Sequence, residues 1–154
     1  MTFNVSCGSP GSAALLRGLA LLLLLVKAVT AQNAGVTKVA CGNEQTAFVK
    51  SDGSLWGMGL NTAGELADGT TNRVTTPKKI ISGNLAAVAC GGSDFSLGLT
   101  TGGSLYGAGN NYHGQLGDGT TNNHSSAVLI VSSGVAAIAC GGGHSLFAKS
   151  DGSL

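Results

Sequence analysis

Short runs in which hydrophobic and polar residues alternate recur along the chain after about residue 35, and stretches rich in glycine, serine, asparagine and aspartate separate them. In the first half of the chain the clearest runs are residues 36–40, 46–50, 55–59 and 76–81. Alternation with a period of two and many β-branched residues are typical of strands, and dense glycine disfavours helix. The pattern therefore predicts four short strands in this part of the chain and an all-β fold.

The same order of elements recurs about every 50 residues, a period typical of propeller blades. Three segments share a valine- and alanine-rich run that ends in Cys-Gly: 36–42, 85–91 and 135–141. A second shared segment, which runs from Gly-Glu/Gln-Leu to Asp-Gly-Thr-Thr-Asn, occupies 64–72 and 114–122. We therefore predict two complete repeats and part of a third: 36–84, 85–134 and 135–154.

Two-residue pairs that end in glycine mark the turns between the second and third strands of the repeats. The equivalent pairs in the three copies are Asp52-Gly53, Gly102-Gly103 and Asp151-Gly152. An Asp-Gly pair between two strands predicts a tight hairpin with a type I′ turn, in which both central residues have positive φ.

Residues 1–31 have the layout of a secretory signal peptide. Arg17 precedes the apolar run 18–26, and the small residues at 29–31 resemble a cleavage site. The alternative is an uncleaved membrane anchor, but spanning a bilayer takes about 20 apolar residues and this run is shorter. We therefore expect a secreted or extracytoplasmic protein, in the periplasm or at the cell surface, with a short linker at 32–35. The signal is its only expected contact with a membrane.

The composition is rich in glycine and poor in charge, with 26 glycines and 10% charged residues. Without the signal, six basic and seven acidic residues leave a net charge of −1, and only Lys78 and Lys79 are adjacent cations. Nucleic-acid binding rests on a clustered basic surface that neutralises phosphates. A protein partner is therefore expected, and a nucleic-acid partner is not.

Several residues recur in a pattern that is more specific than its period: 39–42, 52–59, Asn61, Gly64, Leu66, 68–71 and Pro77. This block resembles a repeat of the regulator of chromosome condensation (RCC1) family. His144 and Ser145 match the family's His-Ser/Thr element, whereas the other copies depart from it at Gln45 and Asp94. The resemblance covers 36–154 and implies an all-β, seven-bladed β-propeller of four-stranded antiparallel blades. The chain would then hold about two and a half blades, as a bacterial-type secreted propeller fragment.

No catalytic or cofactor site is expected. The glycines of residues 57–59 resemble the start of a dinucleotide fingerprint, but the third glycine and the following helix are missing. Neither a nucleophile elbow nor a paired carboxylate is evident, so we expect no enzyme activity. His144 is expected to satisfy backbone groups inside a blade.

Three cysteines occupy equivalent positions in the repeats: Cys41, Cys90 and Cys140. Without a Cys-x-x-Cys pair they do not indicate a zinc site. We expect them to be small buried packing residues, although an odd number in a secreted protein leaves a free or intermolecular thiol open.

Loop positions that differ between the two complete repeats are the candidates for partner contact. Residues 61–63 correspond to 111–113, and residues 72–74 correspond to 122–124. Propellers present different contacts on a common frame in this way, although drifting solvated loops would look the same. The candidate contact residues are Asn61, Thr62, Arg73, Asn111, Tyr112, His113 and His124.

The expected function is therefore that of a secreted, non-enzymatic module that binds protein or serves a structural role. The resemblance leaves two alternatives open. One is an extracellular enzyme inhibitor, since the family includes a secreted bacterial inhibitor of β-lactamase. The other is a guanine-nucleotide exchange regulator of a small GTPase, if residues 1–31 are not a signal. An unfinished third blade is also expected to associate through its open edges.

Overall fold

The computed structural model describes residues 35–154, so the predicted signal peptide lies outside the described residues. Within that range the chain is all β, and no helix in it is long and apolar enough to cross a membrane. The strands are β1 Val36–Cys41, β2 Gln45–Lys50, β3 Leu55–Gly59, β4 Val74–Ile81, β5 Leu85–Gly91, β6 Phe95–Thr100, β7 Leu105–Gly109, β8 His124–Val131, β9 Val135–Cys140 and β10 Ser145–Lys149.

The strands form three antiparallel sheets in chain order. The first sheet is β1-β2-β3-β4, the second is β5-β6-β7-β8, and the third pairs β9 with β10. The expected all-β propeller architecture is thus confirmed, with two four-stranded blades and the first two strands of a third. The fourth strand begins at Val74, two residues before the run that predicted it.

The hairpin turns differ from the predicted type I′. Gly53 has a φ of +76°, but Asp52 before it does not have a positive φ. The Gly53 amide donates to the Lys50 carbonyl at 2.9 Å, and the Lys50 amide donates to the Ser54 carbonyl at 3.0 Å. This is the three-residue loop in which a glycine with positive φ closes the turn. Asp52 is suited to it because its carboxylate accepts hydrogen bonds from the Ser54 amide and hydroxyl.

The hydrophobic core lies between successive blades. Alternate residues of β2 and β6 are buried, which is the burial that their alternating sequence predicts. One cluster joins the first blade to β5 and consists of Ala47, Val49, Leu55 and Leu85. The other joins the second blade to β9 and consists of Phe95, Leu97, Leu99, Leu105, Leu116 and Val135. Each blade therefore buries its apolar face only by packing on the next one.

A serine hydroxyl makes a hydrogen bond between the two successive blades at each of these interfaces. Ser96 on β6 donates to the carbonyl of Glu65 in the preceding blade at 2.6 Å. Ser145 on β10 makes the same bond to the carbonyl of Gln115, also at 2.6 Å. We call this hydrogen bond and the packing around it the blade joint.

The His-Ser element aligns differently from the sequence reading. A Cβ on Gly91 would collide with the Phe95 ring, just as a Cβ on Gly141 would collide with the His144 ring. Phe95, not Asp94, therefore occupies the position of His144. The connection from Gly91 to Phe95 is one residue longer than the equivalent connection from Gly141 to His144. His144 is exposed, and its ring makes no hydrogen bond within residues 35–154, which corrects its expected role inside a blade.

The prediction that the three cysteines are buried packing residues is confirmed only in part. Cys90 and Cys140 are half-buried against the two core clusters. Burial raises the pKa of each of these thiols to about 12, so they remain protonated. Cys41 is exposed, which corrects the expectation. Within residues 35–154 all three are free thiols.

Candidate functional site

All seven candidate contact residues lie at one end of the blades. The loop between β3 and β4 covers 60–73 and the loop between β7 and β8 covers 110–123. Because consecutive strands run antiparallel, these loops emerge beside the turn between β1 and β2. The Leu60 amide donates to the Glu44 carbonyl there, and the Arg73 guanidinium contacts the Glu44 carboxylate at 2.9 Å. We call this surface the loop face.

Asn111 is an internal support of its loop. It is fully buried, and its Nδ2 donates to the Asp118 carboxylate at 2.9 Å and to the Thr120 carbonyl at 3.1 Å. Its Oδ1 accepts the Leu116 amide at 3.0 Å. One side chain therefore fixes three points of a loop that has no regular secondary structure of its own.

Asn61 makes the equivalent bonds in the first blade. It is fully buried, donates to Asp68 and Thr70, and accepts the amide of Leu66. The burial of Asn61 and Asn111 corrects their assignment as contact residues, because neither side chain can reach a partner.

A carboxylate in each loop completes this support and binds a different side chain in each blade. Asp68 contacts the Lys78 ammonium and Asp118 contacts the His124 ring, both at 2.7 Å. Burial alone would raise the pKa of these carboxyls, but hydrogen bonds from neighbouring groups outweigh it and lower each pKa to about 2. Both are therefore ionised at neutral pH. His124, the seventh candidate and the first residue of β8, is thereby engaged within its own blade.

The exposed candidates are Thr62, Arg73, Tyr112 and His113. The Tyr112 side chain is 75% exposed, and its ring meets the His113 ring edge to face at 5.2 Å between centroids. The Tyr112 amide donates to the Asn110 side chain at 2.9 Å, which fixes the backbone below the ring. An exposed aromatic side chain on a fixed backbone loses little conformational freedom on binding, which suits it to an interface.

Glu65 is a functional candidate that sequence reasoning missed. It is 1% exposed; Oε2 accepts the Ala63 amide at 2.9 Å, and Oε1 has no hydrogen-bond partner among the described residues. Burial raises the pKa of the Glu65 carboxyl above its ordinary value, backbone amides of its loop oppose the shift, and the charge of Asp94 raises it further. Oδ1 of Asp94 is also buried and unpartnered within residues 35–154.

Gly109 allows the backbone segments that carry these two acids to pack closely at the first blade joint. A Cβ there would collide with the Asp94 carbonyl and lie 3.0 Å from the Glu65 Cα. The second joint has Gln115 in place of Glu65, and its Oε1 accepts the His113 amide as Oε2 of Glu65 accepts that of Ala63. The Glu/Gln alternation in the repeated Gly-Glu/Gln-Leu segment was the available signal for this position.

A half-open cavity of about 240 Å³ lies between the first two blades. Gly98 and Ala108 line it, and by the shared strand registers they are equivalent to the larger Phe48 and Met58 of the first repeat. Its lining is mostly apolar, so it offers little polar chemistry. Among residues 35–154, no group of three or more potential metal ligands is close enough to hold an ion.

Replacing Asn111 tests whether the loop depends on it. Asn111→Ala leaves the buried Leu116 amide without its acceptor and removes the hydrogen bonds to Asp118 and to the Thr120 carbonyl, so we expect it to lower the free energy of unfolding by about 2 kcal/mol. Urea denaturation measures the change. Asn122→Ala is the matched control, because Asn122 is exposed and its side chain makes no hydrogen bond within the described residues. Equal effects of the two substitutions would contradict this role.

Glu65→Gln tests the acidic pair. The folded-state pKa of Glu65 is raised, so its contribution to stability is fully present below the unfolded pKa and is lost as the pH rises through the folded pKa. The amide removes this loss and offers a donor to Asp94. We therefore expect Glu65→Gln to stabilise the protein by about 1 kcal/mol at pH 8 and to have less effect at pH 4.

Denaturation of the Glu65→Gln variant across this pH range gives the comparison. Asp94→Asn is the companion variant, since asparagine tolerates the φ of +57° at this position. It removes the like charge and is expected to weaken the pH dependence of the parent. A Glu65→Gln protein that is less stable at pH 8, or equally pH-dependent, would refute the interpretation.

Comparison with known proteins is consistent with this geometry. A family model described as the regulator of chromosome condensation (RCC1) repeat matches residues 52–98 and 102–148, and a second model with the same description matches 36–65 and 86–115. No curated protein sequence matches the chain.

Solved structures share the fold. Human WBSCR16 is 26% identical, with a TM-score of 0.66 over 75% of this chain and 32% of that one. Prp20p from Saccharomyces cerevisiae is 20% identical, with a TM-score of 0.67 over 75% and 31%. The yeast RCC1 (Prp20) structure solved with Kap60 is 18% identical, with a TM-score of 0.65 over 77% and 28%.

The chain spans about a third of the length of these relatives. The first family model matches more than half of the chain in two successive copies. Each copy spans the last two strands of one blade and the first two of the next, and the same serine-to-carbonyl hydrogen bond joins the two blades within it. The chain therefore belongs to the regulator of chromosome condensation (RCC1) repeat family.

Proposed function

We propose that this protein is a secreted propeller module that binds another protein through the loop face. The observation that carries the proposal is the contrast between the two loops. Each is fixed internally by the same asparagine and aspartate bonds, but only the second presents an exposed aromatic pair, Tyr112 and His113.

The chemistry of the loop face favours a protein partner. Tyrosine supplies a large contact area with a polar tip, and it is enriched among the residues that dominate binding energy. Arg73 and Glu44 add one exposed ion pair of opposite charges, which gives the face no strong net sign. Such a surface suits a polar and aromatic protein interface better than a polyanion.

Relatives with this fold bind proteins. The Prp20p structure was reported with its binding to Gsp1p and histones, and yeast RCC1 (Prp20) was solved bound to Kap60. For this chain these relatives support a protein partner as a class. The partner itself depends on the compartment, and the layout of residues 1–31 supports secretion.

A photo-reactive amino acid at position 112 can identify the partner. We expect cross-linking in extracellular material of the source cell, and none when the same group replaces Ser133, which is exposed in the turn after β8 at the other end of the blade. A cross-linked secreted hydrolase would favour the inhibitor alternative. Cross-linking to a small GTPase in a cytosolic lysate instead would favour exchange activity.

The identified protein then allows a quantitative test. Tyr112→Thr with His113→Ala gives the second loop the residues of the first, Thr62 and Ala63, so the fold should tolerate both changes. We expect this double variant to bind at least about tenfold more weakly, the loss typical of removing an aromatic hot spot. Ser133→Ala is the matched control and should bind normally. Equal affinity of the double variant and the parent would refute the loop face as the binding surface.

Secretion is tested separately by mass spectrometry of the protein isolated from its own cell. We expect the protein outside the cytoplasm with Gln32 as its first residue. An intact Met1 on a cytosolic protein would overturn the localisation and leave the binding proposal standing.

A further inference from the structure

The outer edge strands of the two complete blades have the same strand pairing but differ in charge and in proline content. β4 and β8 are each the last strand of their sheet. Leu55 pairs with Ile81 and Trp56 with Lys79, and in the second blade Leu105 pairs with Val131 and Tyr106 with Leu129. Both strands also have register shifts at the same two places. The two edges can therefore be compared residue by residue.

The edge of the first blade carries the features that prevent strand addition. Pro77, Lys78 and Lys79 are consecutive and exposed in β4. A proline removes a backbone donor from the edge, and lysines on an edge strand oppose its burial against another strand. This strand is therefore a poor template for pairing.

The edge of the second blade carries none of these features. The positions equivalent to Pro77, Lys78 and Lys79 hold Ala127, Val128 and Leu129, and 127–131 contain neither charge nor proline. The Leu129 side chain is 49% exposed. An uncharged edge segment with high β-propensity and an exposed leucine favours pairing with another strand.

The start of β8 already pairs with a segment from outside its own blade. Asp68 in the loop of the first blade forms an antiparallel bridge with Ser126, and the Gly69 amide donates to the Ser125 carbonyl at 2.9 Å. This pairing stops at Ser126. No described residue outside the second blade forms a bridge with 127–131.

We propose that β8 is a self-association edge, at which residues 127–131 pair antiparallel with the same strand of a second copy of this chain. A second copy fits because antiparallel pairing of a strand with itself is two-fold symmetric and closes after two chains. With no charge in 127–131, the two identical segments meet without repulsion, and the exposed Leu129 of each copy gains an apolar neighbour.

Matched variants transfer the chemistry of one edge to the other. Ala127→Pro with Leu129→Lys gives β8 two residues that β4 already accommodates at the same register. We expect the parent chain to show a reversible monomer–dimer equilibrium by sedimentation velocity up to about 100 µM, and the variant to dimerise at least about tenfold more weakly. The reverse variant, Pro77→Ala with Lys79→Leu, keeps Lys78 on Asp68 and is expected to form larger assemblies through two edges.

Hydrogen exchange locates the contact independently of the variants. The amides of 127–131 should exchange more slowly as the concentration of the parent chain rises, and those of 75–79 should not change. Thermal unfolding of dilute variants checks that each one is folded. A parent chain that stays monomeric would overturn the proposal. Dimerisation that is as strong in the Ala127→Pro, Leu129→Lys variant as in the parent would also overturn it, because association through the third blade or the N-terminal residues would be unaffected by these changes.

Discussion

The blade joint is the interaction on which the rest of the structure depends. Its hydrogen bond runs from Ser96 or Ser145 to a backbone carbonyl that belongs to the preceding loop, at Glu65 or Gln115. The joint therefore positions two things at once, because the blades that pack across it also hold the middle of the loop in place. A buried carbonyl left without this donor would cost free energy comparable to a lost hydrogen bond.

Loop and blade are consequently parts of one rigid arrangement. The joint holds the loop at its middle, Asn61 or Asn111 holds its start against its end, and an aspartate paired with Lys78 or His124 closes it. The side chains left outside this network are those free to contact a partner. Because the side chain of Asn111 fixes this loop, the exposed rings of Tyr112 and His113 do not need to pack on a hydrophobic core to be held in place.

Local signals in the sequence were sufficient for the architecture. Alternation within runs such as 55–59 is a property of neighbouring residues, and repetition of Cys-Gly and Asp-Gly-Thr-Thr set the blade period. The contact residues are harder to predict from the sequence. Asn61 recurs as Asn111 in the second loop because this buried side chain supports the loop, and the sequence alone does not distinguish such a support from an exposed contact residue. The acidic pair at Glu65 and Asp94 could not be predicted, because it forms only when two blades meet. Gly53 shows the same limit on a smaller scale: its pair predicted a turn, but the turn type depended on the number of residues between the strands.

The central claim is that the loops of the loop face are held as firmly as the strands by internal side-chain bonds. Residue-resolved native-state hydrogen exchange measures this at the amides of Leu66 and Leu116, which donate to Asn61 and Asn111 at 2.9 and 3.0 Å. We expect both amides to exchange about as slowly as those in the middle of β6, although neither lies in a strand. Exchange at the rate of an unstructured loop would contradict the claim.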